Sequence, residues 1–159
     1  MQKIQINYEK VHLEVEKKGM INMINSTNIA EQTVGTNENI LFANTQVRTC
    51  SANCCNGWLN HNAGSGIFQI IKPGIYEIQF NTNVSSAIAG VINLAISSNG
   101  EILQGSQMNT TNVASNVYNV SSNRLIRVCG NGSTTLSVSN VGANALTITN
   151  PNIIIKKVA

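Results

Sequence analysis

Residues 67–98 read IFQIIKPGIYEIQFNTNVSSAIAGVINLAISS, and their pattern predicts the fold class. The pair Pro73-Gly74 is a turn signal between two apolar runs. Beyond it, apolar and polar side chains largely alternate, and the alternation returns at 92–96 before the turn at Asn99-Gly100. A period of two is typical of a β-strand with one buried face. The buried face predicted for the first strand consists of Tyr76, Ile78, Phe80 and Val84.

Short strands at regular spacing are predicted along the rest of the chain from residue 39. Predicted strands are 40–43, 45–49, 67–71, 75–84, 91–97, 101–104, 117–120, 124–129, 134–140, 145–149 and 152–157. The segments between them are rich in Asn, Gly and Ser, which tolerate the positive φ of tight hairpins. Past residue 40 no stretch has a helical period. The pattern predicts an all-β, antiparallel jelly-roll sandwich over residues 31–159.

The composition is poor in charge. The 159 residues include no Asp and 25 Asn, and charged residues make up 11%, against about a quarter in typical globular proteins. A surface of neutral amides and hydroxyls suits packing against copies of the same chain or against a large assembly. The net charge of +3 is scattered rather than gathered in a stripe, so we expect no nucleic-acid partner.

Membrane insertion and export by the usual route are not expected from the sequence. No apolar run approaches the roughly 20 residues that cross a bilayer. The first ten residues, MQKIQINYEK, lack the apolar region of a signal peptide. We therefore expect no membrane partner.

Residues 1–30 differ from the rest and are predicted to form an arm or docking segment. Four of the ten Lys and Arg and three of the seven Glu precede Gly19. Alternating apolar residues fit a hairpin or kinked strand, whereas Ile4, Tyr8, Val11 and Val15 also fit one face of a helix. The alternative is that the segment adds an extra strand to the same fold.

Four cysteines offer three interpretations that the sequence leaves open. Cys50, Cys54 and Cys55 lie close together with His61, and Cys129 lies far along the chain. A zinc site needs four such ligands, but adjacent Cys54 and Cys55 would point to opposite sides of a strand. A disulfide fits an exposed particle, and buried thiols need no further function. We predict no metal.

Signatures of an enzyme are missing. Without Asp there is no Ser-His-Asp arrangement, and the scattered Glu give no carboxylate pair. Nothing in the sequence orients His61 against Cys54 or Cys55 as a base against a nucleophile. The loop 62–66 has two glycines but no following lysine for a phosphate. We therefore expect neither catalysis nor a cofactor.

The segment GIYEIQF at 74–80 resembles the strand signature of the tumour necrosis factor and complement-head jelly-roll superfamily. In that family an apolar strand ends in Pro-Gly and is followed by Tyr-x-aliphatic-x-aromatic. Matching strands are 40–42 at the start, 101–103 and 134–138 in the middle, and 152–158 as the terminal central strand. The resemblance covers about 39–158 and is nearest to the bacterial and phage branch. That branch includes spore-surface collagen-like glycoprotein heads and phage head-fibre or capsid-decoration proteins.

This resemblance implies a homotrimer. The chain has no Gly-x-y collagen repeat. This absence favours a phage or prophage virion protein over a spore-surface protein. The implied function is structural: capsid decoration or a head fibre in the virion, docked on the capsid through residues 1–30. The candidate residues for the subunit core or the trimer axis are Tyr76, Phe80 and Tyr118.

The alternative function is a receptor-binding head that recognises cell-surface glycans. Jelly rolls of this kind bind through loops that carry Asn, Trp and Tyr. The candidate ligand patch is Trp58 with His61, although a lone Trp is more often part of a core.

Overall fold

The computed structural model describes residues 21–49, 57–130 and 132–159. In these ranges the chain forms β-strands without any helix, so no described helix could cross a bilayer. The strands are β1 (Met23–Thr27), β2 (Gln32–Val34), β3 (Asn44–Arg48), β4 (Leu59–Asn60), β5 (Phe68–Ile70), β6 (Gly74–Ser85), β7 (Gly90–Ser98), β8 (Glu101–Ile102), β9 (Met108–Asn112), β10 (Tyr118–Val128), β11 (Thr134–Asn140) and β12 (Leu146–Lys157).

The strands build two antiparallel sheets that pack face to face. Sheet I has the order β10-β6-β12-β1-β3, with β2 paired to the start of β12. Sheet II has the order β4-β5-β11-β7-β8, with β9 paired to the first half of β7. Neighbours in space are mostly distant in sequence, which is the wiring of a jelly roll. The predicted all-β antiparallel sandwich is confirmed.

The core lies between the sheets and follows the alternation of the quoted stretch. In β6, Tyr76, Ile78, Phe80 and Val84 are at most 1% exposed, as the sequence predicts. Phe42 fills the gap between the layers and makes edge-to-face contacts with Phe68 and Phe80, at centroid distances of 5.3 and 6.4 Å. Burying each such side chain contributes about 1.5–3 kcal/mol, so this cluster is a major stabiliser of the sandwich.

The first described strand differs from the predicted organisation. β1 lies inside sheet I between β12 and β3, and Ile24 on its inner face is fully buried. The predicted boundary at residue 30 therefore falls too late, because 23–27 is a strand of the sandwich. The rest of the arm prediction concerns residues 1–20, which lie outside the described ranges.

The predicted strand 40–43 does not form. Ile40 and Phe42 are fully buried, but the backbone there makes only isolated bridges, at Asn39 with Ser139 and at Phe42 with Ser65. The apolar alternation of this segment therefore reflects its packing into the core and not a place in a ladder.

Two pairs of predicted strands are each one long strand. Strand β10 continues through Ser122 and Arg124, two polar residues that face Phe80 and Ile78 of β6 and interrupt the apolar pattern. Strand β12 continues past Pro151 through an irregularity where the register with β6 shifts. Asn150 takes a positive φ of 52° there, so the missing N–H of proline falls at a bulge, where it is tolerated.

Candidate interaction surfaces

The outer face of sheet I carries a row of side chains that crosses all five strands of its main path. In register from edge to edge, the row consists of Val47, Asn25, Ile154, Gln79 and Asn123. Every second residue of a strand points to the same face, so these five lie opposite the core. The row is uncharged, and Ile154 at its centre is half-buried.

A second uncharged row lies beside the first and closes with amide contacts. It runs through Asn152, Asn81 and Ser121. Beyond it the Nδ2 of Asn119 donates to the Oδ1 of Asn83 at 3.0 Å. Neutral amides dominate most of this sheet face. An ordinary sheet face exposed to solvent is instead rich in Lys and Glu.

The charges on this face are mostly paired. The Nζ of Lys156 lies 3.0 Å from Oε2 of Glu77. The Nε2 of Gln79 and the Nδ2 of Asn123 donate to Oε1 of Glu77 at 3.0 and 3.1 Å. The hydrogen bond from Gln79, then the bonds from Lys156 and Asn123, lower the pKa of Glu77 to about 2. Arg127 remains as an exposed charge toward the end of β10.

The aromatic residues predicted for the core or trimer axis separate into two groups. Tyr76 and Phe80 are at most 1% exposed in the single subunit, so they have no surface left for a partner and belong to its core. Burial raises the pKa of the Tyr76 hydroxyl, which donates to the carbonyl of Lys72 at 2.9 Å. Tyr118 is half-buried against the core, and its hydroxyl accepts a bond from the amide of Val113.

The predicted ligand patch does not form a joint surface. Trp58 is 2% exposed, stacks on Tyr76 at a centroid distance of 5.9 Å, and donates through Nε1 to the carbonyl of Thr49 at 3.1 Å. It is a core residue, because both its ring face and its polar atom have partners inside the subunit. The prediction of Trp58 as a ligand contact is therefore wrong in this geometry.

His61 has a connecting position at the edge of the sandwich. Its ring stacks on the ring of Phe68, with a centroid distance of 3.9 Å. Its Nδ1 lies 3.0 Å from the carbonyl oxygen of Ile67, and its Nε2 lies 3.2 Å from that of Phe42. His61 holds the loop before β5 against the segment around Phe42, which is a structural task.

The cysteine predictions fall mainly outside the described residues. Cys50, Cys54 and Cys55 lie there, and their pairing stays a prediction. Cys129 is exposed and forms no disulfide with a described residue. Within the described ranges no three His, Cys or Glu side chains come together as metal ligands.

A groove on the outer face of sheet II was not predicted from the sequence. It encloses about 370 Å³. Its floor and walls include Asn39, Ile67, Ser97, Ile102, Ser137 and Ser139. The alternation of Thr135, Ser137 and Ser139 in β11 is the only sequence signal, and it indicates a polar outer face without indicating a groove. The groove depends on where Asn39 and Ile67 are placed by long-range contacts.

Several solved structures are similar to this chain in fold. The globular domain of zebrafish complement 1qA protein superposes with a TM-score of 0.64 at 13% identity, over 87% of this chain and 98% of that one. Eiger TNF from S. frugiperda gives 0.66 at 10% identity, over 88% and 94%. Murine APRIL gives 0.62 at 14% identity, over 87% and 99%.

The chain has the jelly-roll fold of tumour necrosis factor and complement heads. The resemblance inferred from 74–80 and the matching strands is confirmed at the level of fold. At 10–14% identity, the likeness extends to the fold alone. No protein-family model matches the chain, and no curated protein matches it. Its bacterial or phage branch stays a prediction.

Proposed function

We propose that this chain is the jelly-roll head of a homotrimeric structural protein of a phage or prophage virion. It decorates the capsid or forms a head fibre, acts by binding and not by catalysis, and docks through its N-terminal segment. The subunits meet through the outer face of sheet I. Assembly takes place in the bacterial cytoplasm, and the mature protein resides in the virion.

The main observation that supports a trimer is the neutral outer face of sheet I. Removing a charge from water costs far more than removing an amide that regains a hydrogen bond. A face whose central row is Asn25, Ile154 and Gln79, and whose Lys156 and Glu77 already neutralise each other, therefore loses little when a second subunit covers it. Threefold closure buries this face on all copies at once and leaves no open interface.

The place where the chain joins the sandwich supports docking at one end of the head. Met23 pairs with Lys156 near the end of β12, and the amide of Lys157 donates to the carbonyl of Asn22 at 2.8 Å. The segment before residue 21 therefore joins the sandwich at the end where β12 finishes. A docking segment there leaves the loops at 86–89 and 113–117 pointing away from the capsid.

The solution mass of the full chain tests the trimer. Light scattering with and without reductant should give three times the 17.0 kDa of one chain in both conditions. A monomer in both conditions would overturn the trimer, and a trimer lost on reduction would assign its stability to disulfides instead of to sheet I.

A truncation tests the virion docking. The deletion should remove residues 1–20 and keep β1, because a cut at residue 30 would remove a strand from the middle of sheet I. The partner used in the test is a phage capsid protein from the same genome, assembled into shells. We expect the truncated chain to remain a trimer and to lose co-sedimentation with the shells. Retained co-sedimentation would contradict docking through this segment.

The second candidate function is a head that binds cell-surface glycans. Trp58 does not support glycan binding, because its ring is buried. The groove on sheet II does support it, because a trimer closed through sheet I leaves the outer face of sheet II open to solvent.

A further inference from the structure

We propose that the groove on sheet II is a binding site for neutral oligosaccharide. This site rests on the second candidate function, which it makes more specific, and it does not depend on the trimer. The floor, the walls and the charge of the groove each favour this ligand class over others.

The floor consists of small hydroxyl side chains on two central strands. Ser137 of β11 lies in register opposite Ser97 of β7, and both residues line the groove. Ser139 donates to the Oδ1 of Asn39 at 2.7 Å, and Asn39, which also lines the groove, keeps the Nδ2 of its amide as a donor. Each hydroxyl both donates and accepts, and this dual capacity matches a ligand that is itself made of hydroxyls.

The walls are apolar and stand on opposite sides of that floor. Ile67 precedes β5 and is 47% exposed, and Ile102 in β8 is 42% exposed. The sheet order places two strands, β11 and β7, between β5 and β8. Aliphatic walls contact the C–H faces of a sugar ring while the floor binds its hydroxyls. The volume of about 370 Å³ is within the range of about 300–1,000 Å³ for small-molecule sites.

Among the residues that the structure describes, the lining of this groove includes no Lys, Arg or Glu. An anionic ligand such as a phosphate or a sialylated glycan would lose its hydration without gaining a cation. An extended peptide is also disfavoured as an added strand. The backbone of β11 is paired on both sides, with β5 and β7, and β7 is paired with β8, β9 and β11.

The site is held rigidly, which lowers the entropic cost of binding. The amide of Asn99 donates to the carbonyl of Thr135 at 2.9 Å, and Asn99 Oδ1 accepts from the Thr135 amide at 2.9 Å. At the other end Asn37 lies at a positive φ of 65°, with its amide bonded to the carbonyl of Asn140 at 2.7 Å. A Cβ on Gly66 would lie 2.6 Å from the Cβ of Asn39, so these two segments are in close contact.

The test uses the full chain and saturation-transfer NMR with two neutral probes, maltotriose and triacetylchitotriose, and with sialyllactose as the charged comparison. We expect transfer to at least one neutral probe at concentrations up to about 20 mM, in the range of weak ligands, and none to sialyllactose. Ser137→Val, which replaces a floor hydroxyl by a strand-forming side chain, should weaken binding about tenfold.

The matched control is Thr111→Val, which removes an exposed hydroxyl of β9 on the same side of sheet II. It should bind as the unchanged chain does. Circular dichroism melting of both variants separates lost binding from lost folding, and Ser139→Ala serves as the second floor variant if Ser137→Val does not fold. Absence of transfer to both neutral probes would overturn the proposal. Transfer that survives the floor substitutions would place glycan binding elsewhere and leave the second candidate function standing.

Discussion

The Nζ of Lys156 on β12 lies 3.0 Å from the Oε2 of Glu77 on β6, across the middle of sheet I. The other carboxylate oxygen of Glu77 accepts from the amide groups of Gln79 and Asn123. One carboxylate thus connects three adjacent strands, β10, β6 and β12, on the face that we assign to assembly. The bonds stabilise the charged form, and so they lower the pKa of Glu77 from its usual 4.5 to about 2.

Glu77 should make the stability of the fold depend on pH in acid. Above pH 4.5 the carboxylate is charged in the folded and unfolded chains, and its bonds contribute fully. As the pH falls from 4.5 to about 2, the unfolded chain takes up the proton first, so this contribution declines and then disappears. The free energy of unfolding in urea should therefore differ between the unchanged chain and Glu77→Gln. This difference should be constant at neutral pH and should shrink as the pH falls from 4.5 to about 2.

The control for this prediction is Glu101→Gln in β8. Glu101 is exposed and forms no ion pair among the described residues, so its substitution should change the unfolding free energy by less than about 0.5 kcal/mol. All variants are compared at one protein concentration, since the stability of an oligomer depends on it. A Glu77→Gln difference that stays constant down to pH 2 would contradict the low pKa.

The fold could be predicted from the sequence wherever strand alternation is strong. Strand β6, with Tyr76, Ile78 and Phe80 in alternate positions, has the predicted buried face. Strand β9 (MNTTN) was missed because it is largely polar and gives no apolar period. Residues 23–27 fall within the predicted arm because residues 1–30 differ in charge from the rest of the chain, and a strand with one aliphatic residue, Ile24, on its inner face gives no apolar pattern against that prediction. Short polar strands are specified by their neighbours more than by their own residues.

The candidate surfaces could be predicted less well, because they depend on pairing across the chain. Asn25 and Ile154 are directly opposite each other on β1 and β12, although nearly the whole chain separates them in sequence. The sequence makes Trp58 a candidate ligand contact because it lies near His61, and a single Trp has no periodic pattern that would show its burial. Its burial depends on Tyr76, which no local pattern connects to it.

Ile154 should be decisive for assembly through sheet I. The substitution Ile154→Arg places a charge at the centre of the neutral face, where a covering subunit would have to remove it from water. Because this side chain points away from the core, the subunit should keep its fold by circular dichroism. We expect the mass by light scattering to fall from three subunits to one.

Asn109→Arg is the comparison for Ile154→Arg, since Asn109 is exposed on β9 in sheet II. It adds the same charge outside the proposed interface and should leave the trimer intact. If Ile154→Arg remains trimeric, another face of the sandwich must hold the subunits together.

Trp58 should matter for stability and not for ligand binding. The substitution Trp58→Ala removes the ring that stacks on Tyr76 and should cost about 3–5 kcal/mol in guanidinium unfolding. Trp58→Phe keeps most of the volume but leaves the carbonyl of Thr49 without its donor, at a cost of about 1–2 kcal/mol. Trp58 is the only tryptophan, so its fluorescence can be followed directly, and it should not change when maltotriose is added. A fluorescence change that saturates with the saccharide would return Trp58 to the ligand site.

Gly74, the residue after the turn proline, should tolerate no side chain. It has a φ of 150°, and a Cβ there would lie 2.5 Å from the carbonyl oxygen of Ala159 and 2.5 Å from the Cε of Lys157. The oxygen accepts the amide of Ile75 at 2.8 Å and so cannot move without losing a bond. Gly74→Ala therefore combines backbone strain with overpacking, and urea unfolding should show a loss of about 2–4 kcal/mol.

Two other glycines separate the strain at Gly74 from the overpacking. Gly100 has a φ of 83° with no atom within 4 Å of the position that an added Cβ would take, whereas Gly130 has the same open space without a positive φ. Gly100→Ala should therefore cost about 1 kcal/mol from conformation alone, and Gly130→Ala should be neutral or stabilise slightly by restricting the unfolded chain. If Gly74→Ala costs no more than Gly100→Ala, the close packing of Ala159 on the start of β6 does not constrain this position, and the turn conformation alone explains the glycine.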